Sequence, residues 1–329
     1  MTLSTDDRYA WSVGIHGGAG AMRSMSPDRE RAYRVGLGDA AREAGALLDA
    51  GSSAIEAVTR AVSVMERSGS FNAGLGSCLN RDGALEADAA TMWGADRSIG
   101  ALAAAPALAN AVTIAEAIRT RSPHCLLAGD GALRFAADHG LPIERLDPPP
   151  PERLQRYHQL LASLGGDTPR RAEGLTRLGG THDDGDTVGA VALDRDGHLA
   201  VAVSTGGVWL KQPGRVGDSP LPGSGFWAED GLGATAATGT GEFIIRAQLC
   251  IDVIHRMRGG ASVADAASGA LLSLEALFGA DKAGLIAIDH RGRMAFPFHT
   301  QGMGRAALWD GASAPRVAVW PEDGLTRVD

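Results

Sequence analysis

The stretch THDDGDTVGAVALDRDGHLAVAVSTGG, residues 181–207, decides how this chain is read. Its first six residues are polar, acidic and glycine-spaced, a composition with nothing to bury in a core. At Thr187 the character changes within one residue. TVGAVAL and HLAVAVST are apolar runs of strand length joined by Asp194-Arg195-Asp196-Gly197, a hairpin signal. Strands so uniformly apolar need cover on both faces. A Thr in that place is either an ordinary strand-initial residue or a concealed N-terminus behind an expendable loop.

Working outward, WSVGIH (11–16) reads as a strand entering the Gly-rich turn GGAG (17–20). Helical spacing runs from Pro27 to about Ala50, with Gly51 as terminator, and Ser53 to Glu56 forms a capping box that opens a second helix to about Arg67. SFNAGLGSCLNRDGALEADAATMWG (70–94) mixes turn chemistry with short β-like runs and predicts a hairpin. Helices are expected again around Thr113–Arg121 and Cys125–His139. Residues 147–186 combine a proline run, scattered charge and many glycines, with a short helix near Arg153 to Leu164; part of 146–186 is expected to be a flexible linker. Beyond the apolar hairpin, TGTGEFIIRAQLCIDVIHRMRGG passes from a Gly-rich loop into a helix ending near Gly259, and SVAD (262–265) caps the next. GLIAIDHRGRMAFPFHT (284–300) repeats the strand, Asp-x-x-Gly turn, strand design of 187–204. This order of elements predicts an α+β sandwich in which helices cover the outer sides of packed sheets.

The bulk properties exclude several classes. The 329 residues carry a formal charge of −8, without the cationic surface that phosphate binding needs, so nucleic acid is not an expected partner. The start has no basic segment followed by an apolar one, and no run of about 18 apolar residues occurs, so no membrane partner is expected and the chain reads as cytoplasmic. Cys78, Cys125 and Cys250 lie far apart with no CxxC pair; they suggest neither a disulfide framework nor a thiolate metal site and read as buried small hydrophobes.

A Thr hydroxyl is a poor nucleophile unless a base takes its proton, and the nearest base a Thr can have is its own α-amine. That amine exists only if the preceding peptide bond is cut. With a pKa of about 7.7 to 8.0 it has a usable neutral fraction near neutrality. Cleavage between Asp186 and Thr187 would create base and nucleophile together.

HGGAG (16–20), FNAGLGS (71–77), DTVGAVALD (186–194), STGG (204–207), GRVGDSP (214–220) and TGTGE (238–242) resemble the signature segments of the plant-type L-asparaginase and isoaspartyl aminopeptidase family, in that family's order and over nearly the whole chain. The resemblance implies a self-cleaving N-terminal-nucleophile (Ntn) hydrolase with a four-layer αββα fold. Residues 1–186 would become an α subunit and 187–329 a β subunit of one domain, with two such pairs forming a homodimer. It implies Thr187 as nucleophile of both cleavage and hydrolysis, Thr205 as a second hydroxyl beside it, and Asn72 as an aid to maturation. Thr238 and Gly239 would form an oxyanion hole, while Arg215 and Asp218, with Gly241, would read the α-carboxylate and α-amine of an aspartyl unit. By itself Thr205 reads first as a strand-end residue, and Arg215 with Asp218 reads equally as a loop salt bridge. Met65, Glu66, Ser68, Phe71, Ala73 and Leu75 match the family's structural sodium loop, built mainly of backbone carbonyls; no cofactor is implied for catalysis.

TGTGE lacks the GK[ST] ending of a phosphate loop and does not fit GxGxxG. His182, Asp183, Asp184 and Asp186 lack metal-loop spacing and read as a solvated loop. Asp186 itself departs from the Gly that many family members carry before the nucleophile and is similar instead to glycosylasparaginases. Expected substrates are thus L-asparagine and β-aspartyl dipeptides, with sugar-linked asparagine as the alternative and an uncleaved, non-catalytic binding protein as a further one.

Overall fold

The computed structural model describes residues 9–22, 25–163 and 187–329. The predicted hairpin is its centre: β5 (Val188–Leu193) pairs antiparallel with β6 (Leu199–Thr205), and every residue of both strands is buried. The turn closes because Asp194 Oδ1 accepts hydrogen bonds from Asp196 N at 3.1 Å and His198 N at 2.9 Å. Around this pair an eight-stranded sheet grows in the order β12 (Arg316–Ala318), β11 (Gly302–Trp309), β1 (Ser12–Gly20), β5, β6, β2 (Glu86–Trp93), β3 (Ile99–Pro106), β4 (Leu126–Ala128). A second sheet has the order β13 (Arg327–Val328), β10 (Met294–Ala295), β9 (Ala283–Asp289), β8 (Gly233–Gly239), β7 (Phe226–Glu229).

Strand alternation assigns the cover. Val188, Ala190 and Ala192 pack with Leu37, Val58 and Val62 of α1 (Pro27–Asp49) and α2 (Ala54–Ser68). Val191 and Leu193 face the other way, onto Ala234, Ala236, Ile286 and Ile288 of the smaller sheet. That sheet turns Ala237, Leu285 and Ala287 onto α7 (Leu249–Arg258) and α8 (Val263–Phe278). The architecture is α+β, with two sheets facing one another and helices against the outer side of each.

The capping box at Ser53 and Glu56 is present, and Ser262 caps α8. Several local expectations are corrected. Residues 70–94 do not close a hairpin. Gly74–Gly76 is a single 3-10 turn, Leu79 and Leu85 form one bridge, and β2 takes β3 as its partner instead. Residues 125–139 split into β4 and α4 (Asp130–Asp138), after α3 (Ala111–Arg121). Thr238 and Gly239 end strand β8 rather than lying in a loop, and the helix after them is two: α6 (Gly241–Ala247) stops at Gln248, whose φ of 49° turns the backbone left-handed before α7. Cys125 is exposed, whereas Cys78 and Cys250 are buried. Residues 151–163 form α5 (Pro151–Ser163), docked through buried Leu160, while residues 164–186 of the linker, Asp186 among them, lie outside the described residues.

Candidate active site

Val188 stands opposite Ser204, so the next step of the same register sets Thr187 beside Thr205. On the far side of β6, Thr205 pairs with Asp88 of β2. Cross-strand partners share a face, so Thr187, Thr205 and Asp88 form one polar row across three strands. The row faces the second sheet, on the side of Val191 and Val203. From that second sheet Thr238 points into the same gap, in phase with Ala234 and Ala236. Thr187, Thr205, Arg215, Asp218 and Gly239 line one small cavity with Gly207, Val208 and Gly217.

The nucleophile candidate is 5% exposed, and its Oγ1 lies 3.4 Å from Ser219 Oγ, a long contact. Thr205 Oγ1 accepts from Gly207 N at 3.0 Å. Thr238 Oγ1 is buried with no hydrogen-bond partner among the described residues. Gly239 has to be glycine: its φ is 135°, and a Cβ there would stand 2.2 Å from Lys282 O. His16 of β1 lies over Gly189 and against the Thr187 backbone, without a hydrogen bond of good geometry to either ring nitrogen. Burial drives its pKa down to about 3, so the ring is neutral near neutrality.

Across the cavity the chemistry is charged. Arg215 donates from Nε and Nη2 to the two carboxylate oxygens of Glu242, at 3.0 and 2.9 Å. Burial works against the Arg215 cation, but Glu242, with Asp218 and Asp88 behind it, leaves its pKa raised. Two donors are spent on Glu242, and the guanidinium has five. Asp218 is buried, its Oδ2 has no partner among the described residues, and burial, opposed by Arg215, pushes its pKa up to about 7. Gly241 makes room for this pair, since a Cβ there would meet Asp218 Oδ1 at 2.8 Å and Arg215 Nη2 at 3.0 Å.

Residues 9–318 match the family model described as asparaginase. The chain belongs to that family. It is 42% identical to the isoaspartyl peptidase of Escherichia coli over 324 residues, covering 95% of this chain and 97% of that protein. Identity to the plant-type L-asparaginase of Pyrobaculum calidifontis is 42% over 291 residues, covering 88% and 94%. The isoaspartyl peptidase/L-asparaginase of Rattus norvegicus is 38% identical over 307 residues, covering 93% and 85%.

In this asparaginase-family chain, not every expected residue meets Thr187. Both side-chain atoms of Asn72 are engaged beside the glycines that follow Thr205: Nδ2 donates to Gly207 O at 2.5 Å and Oδ1 accepts from Cys78 N at 2.8 Å, while Asn72 O accepts from Gly206 N. The residues of the expected sodium loop run from the last turn of α2 through the Gly74–Gly76 turn. There the backbone packs so closely that glycine is needed, since a Cβ at Gly74 would meet Glu66 O at 2.4 Å and one at Gly76 would meet Phe71 O at 1.9 Å. The Glu66 side chain turns elsewhere, to Ser204 Oγ at 2.6 Å and Val112 N at 3.1 Å, and burial raises its pKa to about 8. Among the described residues no cluster of three or more His, Cys, Asp or Glu could hold a metal, and no helix is long and apolar enough to cross a membrane.

Sequence reasoning gave no role to Ser219, Glu242, Asp88 or His16. Glu242 had a usable signal, because an Arg buried near a glycine loop needs a counter-charge close by. Asp88 and His16 had none, because only sheet pairing brings β2 and β1 to Thr187.

Proposed function

We propose that this chain is a self-cleaving amidohydrolase with the four-layer αββα Ntn fold, acting on L-asparagine and β-aspartyl dipeptides through Thr187. One observation carries the reading: Thr187, at the head of a buried strand, shares a cavity with Thr205, Gly239 and the Arg215–Asp218 pair. Family membership and relatives that are asparaginases and isoaspartyl peptidases support it.

Maturation begins with attack of Thr187 Oγ1 on the carbonyl carbon of Asp186. The acyl group passes from nitrogen to oxygen, and water then hydrolyses the ester, leaving a carboxylate on residue 186 and a free amine on Thr187. In turnover that amine takes the hydroxyl proton as Oγ1 attacks the side-chain carbonyl of the aspartyl unit. Arg215, oriented by Glu242, holds the substrate α-carboxylate with its remaining donors, and Asp218 Oδ2 takes the α-ammonium. Thr238 and the Gly239 amide stabilise the oxyanion, each donor worth about 3 kcal/mol in comparable sites. The protonated amine releases ammonia or the leaving amino acid, and water frees aspartate from the β-aspartyl ester while regenerating the hydroxyl. The main-chain oxygens of Met65, Glu66, Ser68, Phe71, Ala73 and Leu75 would hold a sodium ion, which would brace the α2 turn. The reading extends to a cytoplasmic homodimer of cleaved pairs; free cysteines at 78, 125 and 250 suit a reducing compartment.

The test is the intact mass of purified protein under denaturing conditions, together with aspartate release from L-asparagine, a β-aspartyl dipeptide and a sugar-linked asparagine. Cleavage before Thr187 with turnover of the first two is expected. Preference for the sugar-linked substrate would transfer the assignment to glycosylasparaginase chemistry, as Asp186 suggests. An uncut chain that releases no aspartate would leave a binding protein.

A further inference from the structure

Asp88 is a fully buried carboxylate that no step above uses. The pairing of β2 with β3 shifts register between Ala87 and Ala89, a bulge that re-aims the residue between them. Asp88 Oδ1 accepts from Ala104 N at 2.7 Å across that irregularity. Toward β6 the same residue sits opposite Thr205, on the face that carries Thr187. Its second oxygen, Oδ2, accepts from Gly217 N at 3.2 Å. Gly217 is the residue just before Asp218 and two after Arg215. Two positions earlier on β2, Glu86 Oε1 accepts from Gly214 N at 2.8 Å, and the buried Lys211 Nζ donates to Glu86 O at 3.0 Å. Two carboxylates of one strand therefore hold the loop just before and just after Arg215.

We propose that Asp88 is a positioning residue for the hydrolysis: by gripping the Gly217 amide it holds Arg215 and Asp218 toward the Thr187–Thr205 pair and so sets affinity for the aspartyl unit. This rests on the substrate site read above. A second consequence is electrostatic. The negative charge of Asp88 favours the cations of Lys211 and Arg215, and it joins burial and Glu242 in holding the Asp218 carboxyl toward its neutral form, against Arg215. Among the described residues the buried thiol of Cys250 also faces Asp218, and in the cleaved protein the Thr187 amine shares its cavity. A buried carboxylate with only a packing role would change stability when removed, but not the pH at which substrate capture is lost.

The experiment compares wild type, Asp88→Asn and Asp88→Glu in steady-state hydrolysis of a β-aspartyl dipeptide across the neutral pH range, with rates normalised to the cleaved fraction read by mass. Asn offers one acceptor to two N–H donors, so one of the two bonds is lost. KM should rise about tenfold or more, with a smaller change in kcat. The part of the acid limb of kcat/KM that Asp218 sets should move to lower pH, because a like charge beside Asp218 has gone. Asp88→Glu keeps the charge but displaces the carboxylate, so KM should rise while the limb stays in place. Unchanged KM and unchanged limb in folded Asp88→Asn would overturn the proposal, as would a fall in kcat alone, which would place Asp88 with the nucleophile. Should Asp88→Asn fail to fold, Asp88→Glu decides: an unchanged KM there overturns it. If the wild type itself turns over no aspartyl substrate, the functional reading fails instead, and calorimetric L-aspartate binding by the same variants tests Asp88 alone, with weaker binding expected.

Discussion

The two sides of one cavity are built on opposite principles. On the substrate-reading side nearly every charged atom is engaged: Arg215 is locked to Glu242 at 3.0 and 2.9 Å, and Asp88 and Glu86 hold the backbone around it. On the nucleophile side the polar atoms are held in reserve. Thr187 Oγ1 has one long contact with Ser219, and Thr238 Oγ1 and the His16 ring have no hydrogen-bond partner among the described residues. Groups that recognise a constant feature of a substrate gain from being fixed beforehand. Groups that stabilise a transition state gain only from interactions absent in the ground state. Asp218 joins the two sides, anchored in the Arg215 loop yet with Oδ2 unpartnered among the described residues.

Removing the nucleophile should test that division most severely. Thr187→Ala is expected to remain a single uncut chain by mass and to lose kcat/KM by about 10⁴-fold or more. Residual cleavage at residue 187 would place the attacking group elsewhere. Thr238→Val is subtler. If the buried hydroxyl is reserved for the oxyanion, kcat falls about 10²- to 10³-fold, while the thermal midpoint is unchanged or rises, because no existing hydrogen bond is lost. A lower midpoint with normal kcat would show that Thr238 only packs.

How far the sequence reveals this depends on the kind of signal. Two hairpins were legible from Asp-x-x-Gly turns. Asp194 and Asp289 make the same pair of bonds, each through Oδ1 to the amides two and four residues on. One hairpin carries the candidate nucleophile at its open end, and the other begins at Ala283 of β9. Turn chemistry therefore specifies the hairpin and says nothing about its far end. Strands β3, β8 and β11 escaped notice because IGALAAAP, GATAATG and GMGRAALW are built largely of Ala and Gly, which strand propensity disfavours. They are strands because closely packed layers need small residues there, a tertiary cause with no local signature. The same limit hides Asp88 and His16, while Arg215, Asp218 and Thr205 were visible from motif likeness alone.

The charged side should break more gently. Arg215→Lys keeps the charge but loses the planar fork that Glu242 grips, so KM for β-aspartyl substrates should rise about 10- to 100-fold with cleavage of the chain retained. A normal KM would mean that the Arg215–Glu242 pair only braces the loop.

The smallest effect is a difference between two pH profiles. Burial, opposed by Arg215, pushes the Asp218 carboxyl up to about 7, and only its ionised form pairs with an ammonium. Substrate capture should therefore fall as pH drops through 7, about tenfold one unit below. The freed Thr187 amine must be neutral to act as base, and it too loses activity on acidification, from about 7.7 to 8.0. Bound substrate places its ammonium beside Asp218 and holds it ionised, so this titration vanishes from kcat, whereas the amine must still deprotonate. The acid limb of kcat/KM should thus approach two protons in steepness and that of kcat only one. Equal one-proton limbs would mean that Asp218 is already ionised without substrate and that the charged side is fully preset.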